Sequence, residues 1–190
     1  MGNVIEDIVR EKQVEELAEV IRGKKHMQKY SYGIETVKSL LEKYVHECEK
    51  GIGRNPVEKV FFRIKSVDSI ADKLEKKGYE ISYENAICYL GDLAGIRVVC
   101  SCCDDVYRVD EFLCRNKDVT VLKRKDYIRS PKANGYQSIH LIIELDYPTP
   151  GDTGFAGEKA RVEVQIRTTA MHCWAEMDHR TCYKYKAEKK

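Results

Sequence analysis

The chain lacks a long apolar run, an internal repeat, a low-complexity tract and any appreciable net charge: 33 Lys+Arg stand against 31 Asp+Glu, a formal +2. No stretch approaches the roughly 18 apolar residues of a membrane span. Residues 1–22 are acidic and amphipathic, without the apolar block of a secretory signal. A membrane or exported protein is therefore not expected, and a cytoplasmic one is. The near-neutral charge excludes a general polyanion-coating protein, so basic work must be local. With 190 residues, 43% hydrophobic and 34% charged, one folded domain with a real core is predicted.

Eight cysteines are present, yet a chain of this size needs no disulfide staples, and free thiols are expected. Cys100 and Cys103 form a C-x-x-C, but no second pair at matching spacing follows. Zinc or redox chemistry there is disfavoured.

Periodicity predicts two N-terminal packing helices. The first covers residues 4–21, with Ile5, Ile8, Val14, Leu17, Ala18 and Ile21 on a buried stripe. The second begins after a break at Gly33 and stops at residues 51–56. Short strands and helices then alternate, the pattern of an α/β (α+β) sheet. Strands are expected at 60–64, 94–100, 119–122, 138–145 and 160–167, and helices at 68–77, 83–90, 104–115 and 169–183. A polar loop is expected at 123–136 and a Gly/Pro-rich connection at 148–158.

The last strand alternates strictly, placing Arg161, Glu163, Gln165 and Arg167 on one face and Val162, Val164 and Ile166 on the other. A polar row on a sheet covered by helices lines a cleft; on an open sheet it is only a solvated face. Asp92, just before the strand at 94–100, can stand beside Glu163. Two converging carboxylates suit Mg²⁺, which takes its other ligands from phosphate and water. Asp92 taken alone reads more readily as a helix cap or a turn residue after Gly91.

Basic residues gather in two islands. Between Arg54 and Lys77 there are seven against four acids, and between Arg115 and Lys132 seven against two. In the first, Arg63 and Lys65 share a strand face, and Ser69, Lys73 and Lys76 share a helix face, so all five can meet at one corner and hold a triphosphate. In the second, Tyr136 can stack on a purine while Lys132 and His140 hold its phosphates. His172, Glu176 and His179 share a helix face, but not at zincin spacing. Trp174 and Met171 are expected in the core.

Four ordered blocks together resemble the RelA/SpoT family of alarmone synthetases, in particular its small single-domain members. They are Arg63-Ile-Lys65-x-x-x-Ser69-Ile-x-x-Lys73, Gly91-Asp-Leu-Ala-Gly-Ile-Arg97-Val, Lys125-Asp-Tyr-Ile-x-x-Pro-Lys132-x-Asn-Gly-Tyr136-x-Ser-x-His140, and Glu163-Val-Gln165-Ile-Arg167-Thr followed by Trp174-Ala. The resemblance implies a nucleotidyltransferase-like mixed β-sheet flanked by helices, with domains at 1–53 (helical), 54–186 (synthetase) and 187–190 (a short basic tail of a truncated or shorter subfamily). It implies pyrophosphoryl transfer from ATP to the 3′-hydroxyl of GDP or GTP, giving ppGpp or pppGpp and AMP, with GMP a further candidate acceptor.

By the same resemblance Arg63, Lys65, Ser69, Lys73, Lys76 and Arg97 hold ATP. Asp92 and Glu163 are catalytic and hold Mg²⁺, with Glu163 the base. Lys125, Lys132, Asn134, Tyr136, His140 and Gln165 serve the acceptor, and Asp178 falls at an acidic position near the site. Gln137 and His172 depart from the common family pattern. Relatives form tetramers, so a homo-oligomer is expected, with an alarmone or a regulatory RNA as a candidate further partner. Toxin-type relatives that modify the tRNA 3′ end, and makers of adenosine alarmones, are the alternative. No hydrolase domain is expected.

Overall fold

The computed structural model describes residues 2–148 and 158–187, with side chains described for 6–148 and 158–181. Six helices and five strands follow the order α1 (Gly2–Arg22), α2 (Lys24–Ile52), β1 (Val57–Ile64), α3 (Val67–Glu75), α4 (Tyr83–Tyr89), β2 (Ala94–Cys100), α5 (Cys103–Arg115), β3 (Thr120–Asp126), β4 (Ile139–Tyr147), β5 (Glu158–Thr168) and α6 (Thr169–Ala187). The strands form one sheet in the order β1-β2-β5-β4-β3. Only β2 and β5, its central pair, run parallel, so the sheet is mixed.

The alternation of β5 divides the sheet into two unlike faces. Ala160, Val162, Val164 and Ile166 are fully buried, while Arg161, Glu163 and Gln165 between them are only partly covered. Helices α2 and α5 pack on β5 and β2. Their residues Ile34, Val37, Leu41, Val106, Val109 and Leu113 join the β-strand side chains in one hydrophobic cluster. Leu17, Ala18 and Ile21 of α1 belong to the same cluster, so the N-terminal helices share the core of the sheet.

The sequence reading requires three corrections here. Gly33 does not break a helix: α2 runs through it, and the break falls at Gly23. A Cβ on Gly33 would lie 2.9 Å from Val162 Cγ2 and 3.2 Å from the Ala160 Cβ, so this glycine lets the helix approach the strand. Part of the expected 123–136 loop is strand, since β3 continues to Asp126 with Lys123 and Lys125 paired to Ile142 and His140. Ile8, expected on the buried stripe of α1, is 59% exposed, because that helix is buried only toward its C-terminal half.

The ends of the short helices follow their caps. Ser66 accepts from the Ser69 amide at the start of α3, and Ser82 from the Asn85 amide at the start of α4. Gly53, after α2, takes a left-handed φ of 71°, and Gly78, beyond α3, one of 76°. The expected 148–158 connection falls almost entirely outside the described residues. None of the described helices is long and apolar enough to cross a membrane.

Candidate active site

Strand pairing assembles the site in two transverse rows. Arg63, Gly95, Glu163, Ile142 and Lys123 lie side by side across β1, β2, β5, β4 and β3, as do Phe61, Arg97, Gln165, His140 and Lys125. Residues as distant in sequence as Arg63 and Lys125 therefore share one face. Gly95 contributes no side chain, which leaves a gap between Arg63 and Glu163.

Two clefts open on this face, and Glu163 lines both. One is walled by Phe61, Phe62, Arg63, Arg97 and Gln165. The other is walled by Lys73, Lys77, Lys123, Lys125, Lys132, Tyr127 and His140, among others. A carboxylate thus stands on the partition between a guanidinium-lined chamber and a lysine-lined one.

Asp92 lies at the mouth of β2, as expected, and accepts from Lys65 Nζ at 2.7 Å and Lys73 Nζ at 2.5 Å through one oxygen, Oδ2. Burial pushes its carboxyl up, but the two lysine hydrogen bonds and charges outweigh burial and hold it below the ordinary carboxylate range. Its other oxygen, Oδ1, is buried without a hydrogen-bond partner. For Glu163, burial is again the largest influence and acts upward, yet His140, with help from Gln165, brings the net shift below the usual value against the opposing charge of Asp92. His140 Nδ1 lies 3.2 Å from Glu163 Oε1, and Gln165 Nε2 donates to Oε2 at 2.9 Å. Both carboxylates are therefore ionised at neutral pH.

This donor set fits a hard divalent cation bound sparsely. An orphaned buried oxygen beside a second carboxylate offers one or two ligands, and among the described residues no three His, Cys, Asp or Glu side chains form a closed cage. His172 of α6 instead faces Arg167 Nη2 at 2.8 Å, and Glu176 pairs with Arg97 at 2.9 Å, so the His172/Glu176/His179 zinc alternative has no support.

The first basic island meets only in part. Lys65 and Lys73 converge on Asp92, Arg63 lines the neighbouring cleft, and Ser69 sits at the α3 N-terminus hydrogen-bonded to Ser66. Lys76 is the exposed C-cap residue of α3, a turn beyond Lys73, because the helix ends at Glu75.

In the second, Lys132 Nζ lies 4.8 Å from the ring centres of both Tyr127 and Tyr136, and Lys125 lies 5.7 Å from that of Tyr127. Asn134 donates to Asp178 at 3.1 Å and accepts from the Tyr136 amide, so α6 pins the turn that carries the tyrosine. Gly135 in that turn has φ 83°, and a Cβ there would touch Trp174 at 3.4 Å. Trp174 is accordingly a half-buried brace for this turn, and Met171 is also only partly buried; neither is a core residue as expected.

Sequence reasoning missed Tyr127 and the Arg97–Glu176 pair. Tyr127 lies inside the Lys125-Asp-Tyr block and was findable there; Glu176 meets Arg97 only through the docking of α6. The seven cysteines described are free, with Cys100 buried and its thiol pushed up to about 12 by burial.

Two ionised carboxylates among lysines and arginines, on the open face of a mixed sheet, are an arrangement suited to binding polyphosphates. The chain belongs to the RelA/SpoT family: residues 62–188 match the model described as a region found in RelA / SpoT proteins. It is 42% identical over 132 residues to GTP pyrophosphokinase YwaC of Bacillus subtilis, covering 70% of this chain and 61% of that protein. It is 36% identical over 157 residues to GTP pyrophosphokinase YjbM of the same organism, covering 82% and 71%. The structure of small alarmone synthetase 1 from B. subtilis bound to its product pppGpp superposes with a TM-score of 0.72 at 34% identity, over 83% of this chain and 77% of that one. The chain thus spans about three fifths of the length of YwaC.

Proposed function

We propose that this chain transfers a pyrophosphoryl group from ATP to the ribose 3′-hydroxyl of GDP or GTP, making ppGpp or pppGpp and AMP, as a cytoplasmic, Mg²⁺-dependent enzyme. The observation that carries this reading is the position of Glu163 on the wall common to the two clefts, with guanidiniums on one side and, on the other, lysines of which Lys132 also overlies the Tyr136 ring. The names of the relatives and the pppGpp bound to one of them support it.

The donor enters the cleft of Arg63 and Arg97, where planar cations can meet its base and phosphates. Lys65, Ser69 and Lys73 serve its phosphates, and Lys76 reaches them only from the rim. The acceptor enters the other cleft with its base on Tyr136, framed by the turn that Asn134 holds, and with Lys125 and Lys132 toward its phosphates. The acceptor 3′-oxygen then bonds to the β-phosphorus of ATP as the bond from that phosphorus to the α,β-bridging oxygen breaks, releasing AMP. Glu163 takes the hydroxyl proton, and Gln165 keeps the carboxylate oriented. Transfer of this kind needs chiefly alignment and charge neutralisation. Asp92 and Glu163 would hold Mg²⁺, which when bound would neutralise charge on the donor phosphates.

The test incubates the chain with γ-phosphate-labelled ATP and Mg²⁺ and, separately, GMP, GDP, GTP, ATP alone or deacylated tRNA. Label in a guanosine product, lost in Asp92→Ala, is expected. Label only in tRNA or in an adenosine product would replace this reading with the toxin-type or adenosine-alarmone one. Gel filtration beside the assay tests whether the active species is the homo-oligomer expected for the family, and added alarmone or single-stranded RNA tests regulation.

A further inference from the structure

Both ring nitrogens of His140 are engaged by other residues of the site. Nε2 lies 2.8 Å from the Tyr136 hydroxyl and Nδ1 lies 3.2 Å from Glu163 Oε1. A carboxylate oxygen accepts, so in the neutral ring the proton sits on Nδ1 and is donated to Glu163 Oε1. Nε2 is then a lone pair, and the Tyr136 hydroxyl donates to it. A ring holding this tautomer presents no N–H to a phosphate, and its free lone pair is already used.

The ring is fixed on its other sides as well. Tyr127 meets it edge-on, with centroids 5.2 Å apart at 89°, and Gln165, its register partner on β5, holds the second oxygen of the same carboxylate. The hydrogen-bond chain runs from Tyr136 through His140 to Glu163 and ends at Gln165. It begins on the ring that forms the acceptor's base platform and ends on the group that takes the acceptor's proton.

We propose that His140 is a positioning residue for Glu163, locked by the Tyr136 hydroxyl, so that the base platform and the carboxylate move as one hydrogen-bonded unit. This deepens the pyrophosphotransferase reading and rests on it for its kinetic arm. It reassigns His140, expected to hold acceptor phosphates, to orienting the proton acceptor. Second-sphere support of this kind acts on the reacting step and leaves ground-state binding alone.

Two measurements test it. In the first, ¹⁵N-resolved NMR of His140 at about pH 8 should show the Nδ1–H tautomer in the unliganded protein, reverting to the Nε2–H form usual in water in Glu163→Ala. An Nε2–H tautomer in the unaltered chain would overturn the proposal. This readout stands even if the chain proves inactive, which separates its failure from that of the reading on which it rests.

In the second, with a transfer assay in hand, Tyr136→Phe keeps the ring and removes the hydroxyl. It should lower kcat about tenfold and leave the acceptor KM within about twofold, within the range of a proton-transfer contribution. His140→Asn places an amide N–H near the Nδ1 position and should retain roughly a tenth of kcat, whereas His140→Gln, which mimics Nε2, should fall about a hundredfold. A raised acceptor KM with unchanged kcat in both histidine variants would make His140 a phosphate ligand and end the proposal. Circular dichroism of each variant checks that the fold is intact.

Discussion

The two faces of β5 carry different kinds of information. On one, Ala160, Val162, Val164 and Ile166 have no solvent exposure and face α2 and α5; on the other, Glu163 and Gln165 keep partial exposure and line the candidate site. Neighbouring residues thus answer to different physics. The covered face is fixed by volume, and a change there is felt as stability. The open face is fixed by hydrogen bonds and charge, and a change there is felt as rate. Substitutions made one position at a time test this separation.

The largest effect is expected on the open face. Glu163→Gln keeps the shape of the side chain and removes the proposed proton acceptor, so the transfer rate should fall about a thousandfold, roughly 4 kcal/mol in barrier, while the melting temperature moves by no more than a degree or two. Kinetics and a thermal melt on one preparation decide it. A large loss of stability would mean that the two faces are not separable. Three residues along and on the opposite face, Ile166→Ala should do the reverse: about 3 kcal/mol of unfolding free energy in denaturant titration, from lost burial and a residual cavity, with kcat of the folded fraction within about threefold.

A smaller effect comes from His26, at the start of α2, which is 3% exposed with Nε2 lacking a partner. Burial, and then the charge of Lys29, lowers its pKa to about 4. The unfolded chain takes up this proton near pH 6.5 and the native one resists to about 4, so the stability it contributes is complete above pH 6.5 and lost as pH falls through that window. At pH 5 the loss is about 2 kcal/mol, and His26→Phe should flatten that part of the stability curve. Unchanged slopes in the two proteins would contradict the assignment.

The smallest is Gly33→Ala. Crowding against Val162 and Ala160 costs on the order of 2 kcal/mol, and the better helix propensity of alanine returns about 1, leaving about 1 kcal/mol of destabilisation and no change in kcat. A stabilised variant would mean that α2 can move off the sheet without penalty.

How much of this was legible in the sequence follows the same division. Strand β2 at 94–100 and the alternation of β5 were readable because period-two burial leaves its mark in consecutive residues. Gly33 was misread because a glycine that breaks a helix and one that admits a strand look alike in sequence, and the strand lies some 130 residues on. The second half of β3 was read as loop because Lys123, Arg124 and Lys125 are charged on an edge strand, where charge is tolerated on both faces.

In the site, the residue types were legible and their couplings were not. Spacing put Arg63 with Lys65 and Lys73 with Ser69, but the convergence of Lys65 and Lys73 on Asp92, and the link from Tyr136 through His140 to Glu163, depend on sheet register and on α6 docking. Lys76 shows the limit from the other side: helical spacing put it with Lys73, and the end of α3 at Glu75 left it at the rim.

The central claim is that a pyrophosphoryl group crosses the wall on which Glu163 stands. Its most direct test is ³¹P NMR of the products from unlabelled ATP and GDP. The account predicts AMP and a guanosine carrying a 3′-diphosphate in equal amounts, with neither formed by Glu163→Gln. ADP in place of AMP, or undiminished turnover in that variant, would contradict it.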